Sequence, residues 1–345
     1  MRGRSVLRRW GISCVREVVF AVKKTLRQCV GVLPVVAVFA LLLRMPAEAA
    51  AGARQGLSLC TEVILPSLLP FLILSSLSSA LGLPALLAAL CAPLLRRLGV
   101  PPVCAAPLLL GLTGGYPVGA SALAALVRAG ALRAEAASDA LPWCNNTGPG
   151  FIVGVAGAAV FSSVRAGIAL YFCHALAALA LAALSIRRNP HPVPDMPTLP
   201  TAAGNLAAAL PESVQSAALC ALGICAYVVF FSVLSALLRS AGVFSALAAW
   251  SSLHLGTELR AAYALLCGLL ELGSGIGAMR SMAPTPGNAA LAAFLLGFGG
   301  LSVHCQTLFA VSGTEIKCAR HFAGRIIHGC LSALLAFLLF KLLRI

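Results

Sequence analysis

The chain has 345 residues, 60% of them hydrophobic and only 10% charged, with a mean hydropathy of +0.97. Soluble domains carry roughly 25% charged residues, so this composition excludes a soluble globular fold and indicates a chain embedded in a lipid bilayer. A net charge of +15 with a pI near 9.7 would suggest nucleic acid in a soluble protein, but here the basic residues lie in short loops and tails, where they set topology; no nucleic-acid partner is expected.

Residues 1–29 form a basic segment with Arg2, Arg4, Arg8, Arg9, Arg16, Lys23, Lys24 and Arg27, expected on the cytoplasmic side. The apolar stretch Val30–Leu43 follows without a small-residue cleavage site close behind it, which reads as a retained signal-anchor helix rather than a removed leader. The 13 cysteines are scattered through apolar segments with no CxxC pair and no Cys/His zinc spacing. They read as small apolar residues, and neither a metal nor a cofactor is expected.

The hydrophilic segment 187–205, RRNPHPVPDMPTLPTAAGN, reads as a linker between two comparable halves, 30–186 and 206–345. Each half opens with a long helix, 57–82 and 206–240, and continues with a shorter apolar stretch, 84–95 and 243–254. Pro66 and Pro70 should bend the first long helix. Each half then has a glycine-rich break, PLLLGLTGGYPVGAS at 107–121 and CGLLELGSGIGA at 267–278. A second polar break follows, CNNTGPGF at 144–151 and GFGGLSVHCQT at 297–307, and closing helices are expected at 163–186 and 322–343. Inside a bilayer, non-helical backbone survives only where it is buried in protein or lines a cavity. Interrupted helices at corresponding places in two halves therefore point to a transporter-like site between them. Half-helix N-termini there would turn N–H groups toward an anion.

The residues of these breaks are the candidate site. Gly114, Gly115, Tyr116 and Pro117 read either as a substrate-facing half-helix start or as a kink with tight packing. Asn145, Asn146, Thr147 and Gly148 read either as solute-binding amides or as a water-exposed turn. Glu271 stands in an apolar run with Ser274 and Gly275. It reads as a coupling or gating carboxyl, or as a residue snorkelling to the interface. Ser302, His304 and Gln306 would share one side of an extended stretch, whereas a helix would separate His304; His304 could carry a proton or cap a carbonyl. His321 and His328, near Arg320 and Arg325, read as an anchor at the cytoplasmic end. Glu62 and Glu212 read as acids at helix starts, and Asp139 as a loop or interfacial charge. No HExxH, GxSxG, Walker loop or paired catalytic carboxylates occur, so no enzyme activity is expected.

LPSLLPFLILSSL, GLTGGYPVGA, CNNTGPGFIVG, the GLLE break, GFGGLSVHCQ and ARHFAGRIIHGCLSA together resemble the sporulation integral membrane proteins of YlbJ type, also called stage V sporulation protein V. The likeness covers roughly residues 20–343. It implies an all-α polytopic transmembrane protein with two nucleoside-recognition Gate-type repeats containing broken or re-entrant helices. It also implies a nucleoside-carrier-like transporter that moves dipicolinic acid across the outer forespore membrane during sporulation. The partners then expected are the bilayer, a small anionic solute (dipicolinate), a coupling proton or cation, and, as an open alternative, a second copy of the chain. A non-transporting assembly factor of the forespore membrane and a membrane enzyme using Glu271 and His304 remain as rival readings.

Overall fold

The computed structural model describes residues 32–83, 101–188 and 205–344, with isolated helical positions between 86 and 95. The basic segment 1–29, Arg96, Arg97 and nearly all of the 187–205 linker lie outside the described residues.

The described chain is helical throughout, without strands. Helix α1 (Val32–Arg44) bends by 102° into α2 (Pro46–Leu59), so the expected signal-anchor stretch is a helix that turns sharply at Pro46. A π-helical segment, Cys60–Ile64, joins α2 to α3 (Leu65–Ala80). The first long helix therefore begins well before residue 57, and Glu62 lies in its middle, accepting a hydrogen bond from the Ser58 hydroxyl. The wider turn sits where Pro66 needs it, because proline lacks the N–H of a normal helical bond and its ring crowds the carbonyl four residues back.

A short 3₁₀ turn leads into α4 (Ala105–Gly114), followed by α5 (Val118–Arg128), α6 (Ala134–Cys144) and a π-helical segment, Gly150–Val160. Helix α7 (Val164–Arg188) closes this part. Beyond the linker come α8 (Leu206–Ser240), α9 (Val243–Leu255), α10 (Leu259–Leu270), α11 (Leu272–Ala278), α12 (Pro286–Phe298), α13 (Gly300–Ala310) and α14 (Ala319–Leu343). The two parts run through the same series: a long helix, a helix interrupted at a glycine-rich break, a second interrupted helix, and a long closing helix.

Among the described residues, four helical segments are long and apolar enough to cross a membrane, α7, α8, α14 and α12 with α13 taken together, and a fifth span results if α1 and α2 are counted together. The 35 residues of α8 reach about 52 Å at 1.5 Å per residue, more than a hydrocarbon core of about 30 Å. By contrast, α4, α5, α6 and α13, with 10 or 11 residues each, cover only about half of that core and need a continuation after their breaks. Exposed Leu219, Leu222 and Phe230 on α8 and Leu334, Phe337 and Leu338 on α14 form apolar faces suited to lipid.

Small residues let the long helices touch. A Cβ at Gly52 or Gly56 of α2 would lie within 3 Å of backbone or side-chain atoms of Ser232, Val233, Ala236 or Val229 on α8. This is the small-xxx-small packing of membrane helices. Where α12 crosses α14, a Cβ at Gly297 would stand 2.6 Å from Gly329 Cα.

Candidate functional site at the meeting of the helix breaks

The two breaks of the first part touch each other. Gly115 has φ +84°, and a Cβ on it would meet Gly148 N at 2.9 Å. Both the backbone angle and the spacing therefore require glycine. Gly114 precedes this turn as the last residue of α4, and Pro117 precedes α5. From the same turn Tyr116 reaches into the second part, where its hydroxyl donates to the Leu296 carbonyl (3.2 Å).

Asn145, Asn146 and Thr147 are buried rather than water-exposed, and they tie the halves together. Asn145 Nδ2 donates to Thr307 Oγ1 (2.8 Å), and Thr147 Oγ1 donates to the Leu296 carbonyl (2.8 Å). The Thr147 backbone N–H donates to His174 Nε2 (3.2 Å), and Asn146 Nδ2 to the Trp143 carbonyl (2.8 Å).

The breaks of the second part also touch each other. Gly299 and Gly300 have φ +91° and +76°, and a Cβ on Gly300 would stand 2.6 Å from the Gly268 carbonyl and 3.5 Å from Glu271 N. Glu271 caps α11: its carboxylate accepts from Gly273 N (2.8 Å) and Ser274 N (2.5 Å). A carboxylate suits the N–H groups left open at a helix start. Gly275 packs against Gly268, where a Cβ would come within 2.2 Å of Cα.

Residues 302, 304 and 306 lie on α13, so the extended alternation does not occur. Ser302 and Gln306 share a face at i, i+4, with Gln306 Nε2 donating to Ser302 Oγ (3.2 Å). His304 points elsewhere, its ring centroid 4.8 Å from Phe298, 4.6 Å from Phe322 and 5.3 Å from His321. Helical rotation of about 100° per residue causes this separation.

The residue that joins the breaks is Arg325, expected from sequence to lie at an interface. Its relative exposure is 0%. Nη1 donates to the carbonyls of Pro142 (3.1 Å) and Asn145 (2.9 Å), and to His328 Nδ1 (2.6 Å). Nη2 bonds the Tyr116 hydroxyl and approaches the Leu296 carbonyl at 3.5 Å. Among the described residues no carboxylate pairs with Arg325. Its partners are instead the carbonyl ends of α6 and α12, each carrying about half a negative charge. The breaks thus turn helix C-termini toward a cation, where the sequence suggested N-termini turned toward an anion.

His321, Arg325, His328 and Ser332 are all buried and stand at i, i+4, i+7 and i+11 of α14, one face of a helix. That stripe is legible in HFAGRIIHGCLS; reading its members as terminal anchors missed it. His328 Nε2 bonds the His174 carbonyl (3.0 Å) and the two rings stand 4.5 Å apart. His174, set among alanines of α7, carries no sequence signal of its own.

Several buried polar atoms here lack a partner among the described residues: Asn145 Oδ1, Asn146 Oδ1, His174 Nδ1, Arg325 Nε, and both ring nitrogens of His304. Buried polar atoms are normally bonded, and leaving one unpaired costs about 1–3 kcal/mol. Their concentration around Arg325 leaves a buried polar centre with unused hydrogen-bonding capacity. The structure also holds two cavities, the first of which adjoins this centre through Pro142. One of about 460 Å³ between α6, α7 and α14 is lined by Pro142, Gly324, Asp139 and Arg320, the last two forming an ion pair. Asp139 is therefore a buried helix residue, not a loop charge. The other, about 230 Å³, lies between α3, α5, α8 and α13 and is lined by Ser76, Ser121, Arg128 and Ser216.

The structure thus brings Gly115, Tyr116, Asn145, Thr147 and Gly148 together with α12, α13 and Arg325. Glu271 and Ser274 are linked to this centre through Gly300, with the Glu271 carboxylate engaged in its own helix cap. Ser302 and Gln306 bond each other.

Apolar spanning helices, paired interrupted helices and a buried polar centre define a multi-pass integral membrane protein. Residues 61–187 match the Gate family, described as nucleoside recognition. The chain is similar to the sporulation integral membrane protein YlbJ of Bacillus subtilis (strain 168), 28% identical over 331 aligned residues, covering 88% of this chain and 80% of the relative. The resemblance carried by the motifs is thereby borne out, to the YlbJ-type protein over most of the chain and to the Gate family over residues 61–187. No solved structure matches the chain.

Proposed function

We propose that the protein is a carrier for a small carboxylate anion, dipicolinate in keeping with its YlbJ-type resemblance, acting in the outer forespore membrane during sporulation. The observation that carries this reading is Arg325, a fully buried arginine with no carboxylate partner among the described residues, held by the carbonyl ends of two broken helices. Guanidinium binds carboxylates bidentately and more strongly than it binds neutral carbonyls. A substrate carboxylate arriving at Arg325 replaces the carbonyls of Pro142, Asn145 and Leu296, and this releases α6 and α12 from α14. Binding is thereby coupled to separation of the breaks, which is what alternating access requires.

In this reading the two parts of the chain are Gate-type repeats that move against each other, and the cavity lined by Pro142 and Gly324 is an access route. Tyr116, Asn145, Asn146 and Thr147 orient the ring and second carboxylate of the substrate. Glu271 fixes the start of α11 so that the Gly300 turn can pack on it. A neutral nucleoside would not need the charge of Arg325, which favours an anion within a fold otherwise related to nucleoside recognition. The test is uptake of labelled dipicolinate into proteoliposomes containing the full chain. Uptake abolished in Arg325→Gln and present in wild type supports the proposal, and wild-type vesicles that take up no more than empty ones refute it.

A further inference from the structure

Four of the six histidines of the chain, His174, His304, His321 and His328, surround Arg325. They fall into two pairs with different bonding. His328 Nδ1 accepts from the Arg325 guanidinium, and its Nε2 faces the His174 carbonyl, so it must donate there. His174 Nε2 accepts from the Thr147 N–H. Each of these two rings uses a lone pair that a second proton would remove, so bonding holds both neutral. His304 and His321 differ: their rings stand 5.3 Å apart, both are buried, the His304 nitrogens have no partner among the described residues, and His321 faces only the Leu141 carbonyl, which accepts. This pair can accept a proton without breaking a hydrogen bond.

The charge count around Arg325 gives the pair a task. The titratable and charged groups on the packed elements include Arg320, Arg325, His328, Cys330 and Lys341 on α14, and Glu135, Asp139 and Cys144 on α6. Others are Arg165, Tyr171, Cys173 and His174 on α7, Tyr116 in the first break, Glu271 in the third, Cys305 on α13 and Arg128 at the end of α5. Asp139 is paired with Arg320, Glu135 with Arg133, and the Glu271 carboxylate is bound to two backbone N–H groups. Among the described residues, Arg325 is the one buried cation. Before substrate arrives, its positive charge, one helical turn from His321, opposes a proton on the pair. A dianion beside Arg325 leaves one negative charge uncompensated in a low-dielectric centre, and that charge attracts a proton.

We infer that the His304–His321 pair takes up one proton from solution as a dianionic substrate binds at Arg325 and releases it with the substrate, making the carrier an anion–proton symporter. This rests on the carrier reading and adds to it the identity and place of the coupled ion.

The experiment uses the purified full chain, dipicolinate as the dianion, picolinate as the monoanion of the same ring, and a pH indicator in weak buffer. Wild type should take up about one proton per dipicolinate bound and bind it about tenfold more tightly per pH unit lowered between about pH 8 and 6. Picolinate should bind with no proton uptake. His304→Gln and His321→Gln should lose the uptake and flatten the pH dependence, and His254→Gln, an exposed ring stacked on Trp250, should keep both. Dipicolinate binding without proton uptake and with constant affinity over this range overturns the inference and leaves the carrier standing. Equal uptake with picolinate, or uptake surviving when His304→Gln and His321→Gln are combined in one chain, also overturns it. No dipicolinate binding at any pH removes the carrier reading and the symport together. The wild-type proton count decides even where a variant fails to fold.

Discussion

Arg325 and Asn145 stand 180 residues apart in the chain, yet Arg325 Nη1 donates to the Asn145 backbone carbonyl across 2.9 Å. This bond links the last helix of the second part to the polar break of the first. Around it lie the contacts through which all the breaks communicate: Tyr116 and Thr147 on the Leu296 carbonyl, Asn145 on Thr307, and Gly300 on Gly268.

Removing the charge should damage both stability and transport. Arg325→Leu leaves the carbonyls of Pro142 and Asn145 without their donor, and a loss of about 3 kcal/mol in unfolding free energy is expected. Arg325→Lys keeps the charge but not the planar fork. It should fold better than the leucine variant and still lose at least about tenfold in dipicolinate uptake. Chemical unfolding in detergent and proteoliposome uptake check the two effects separately.

Asn145→Asp should act as a built-in competitor. The substitution deletes the donor to Thr307 and puts a carboxylate on the residue whose backbone carbonyl Arg325 already holds. Dipicolinate affinity should fall by more than in Asn145→Ala, because an internal anion at high effective concentration occupies the guanidinium. Equilibrium binding to the three proteins gives the ranking.

Thr147→Val keeps the shape and removes the hydroxyl that donates to the Leu296 carbonyl. The expected cost is about 1 kcal/mol of stability, with a measurable drop in uptake since this bond joins a break of one part to a helix of the other. Thermal unfolding together with uptake distinguishes this variant from the larger losses at Arg325.

The crossing of α12 and α14 should tolerate no side chain. Gly297→Ala puts a methyl 2.6 Å from Gly329 Cα and should destabilise by about 1–3 kcal/mol. Gly287→Ala, where a Cβ meets open space, should be near neutral. The difference in unfolding midpoint between the two reads the packing directly.

Glu271→Gln should be milder than Glu271→Ala. Glutamine retains one oxygen for the N–H groups of Gly273 and Ser274, whereas alanine removes the cap at a cost of about 1 kcal/mol. A carrier whose uptake keeps its pH dependence in Glu271→Gln has its proton elsewhere, as the histidine pair requires.

The sequence by itself determined that the chain is helical and lives in a bilayer, since apolar length and scarce charge leave no other fold. It also determined where the helices break, because glycine, proline and asparagine cannot sustain a buried helix without a partner for the backbone. The succession of elements in the two parts was legible for the same reason. Which groups face each other across the breaks was decided only by tertiary structure. Helix rotation turned His304 away from Ser302 and Gln306, and α14 carried Arg325 into the centre although basic residues near helix ends commonly seek the interface. The polar stripe of His321, Arg325, His328 and Ser332 was written in the spacing. Its meaning depended on what α14 packs against, and carbonyls from α6 and α12 that lie far away in sequence supply the partners that make a buried arginine tolerable there.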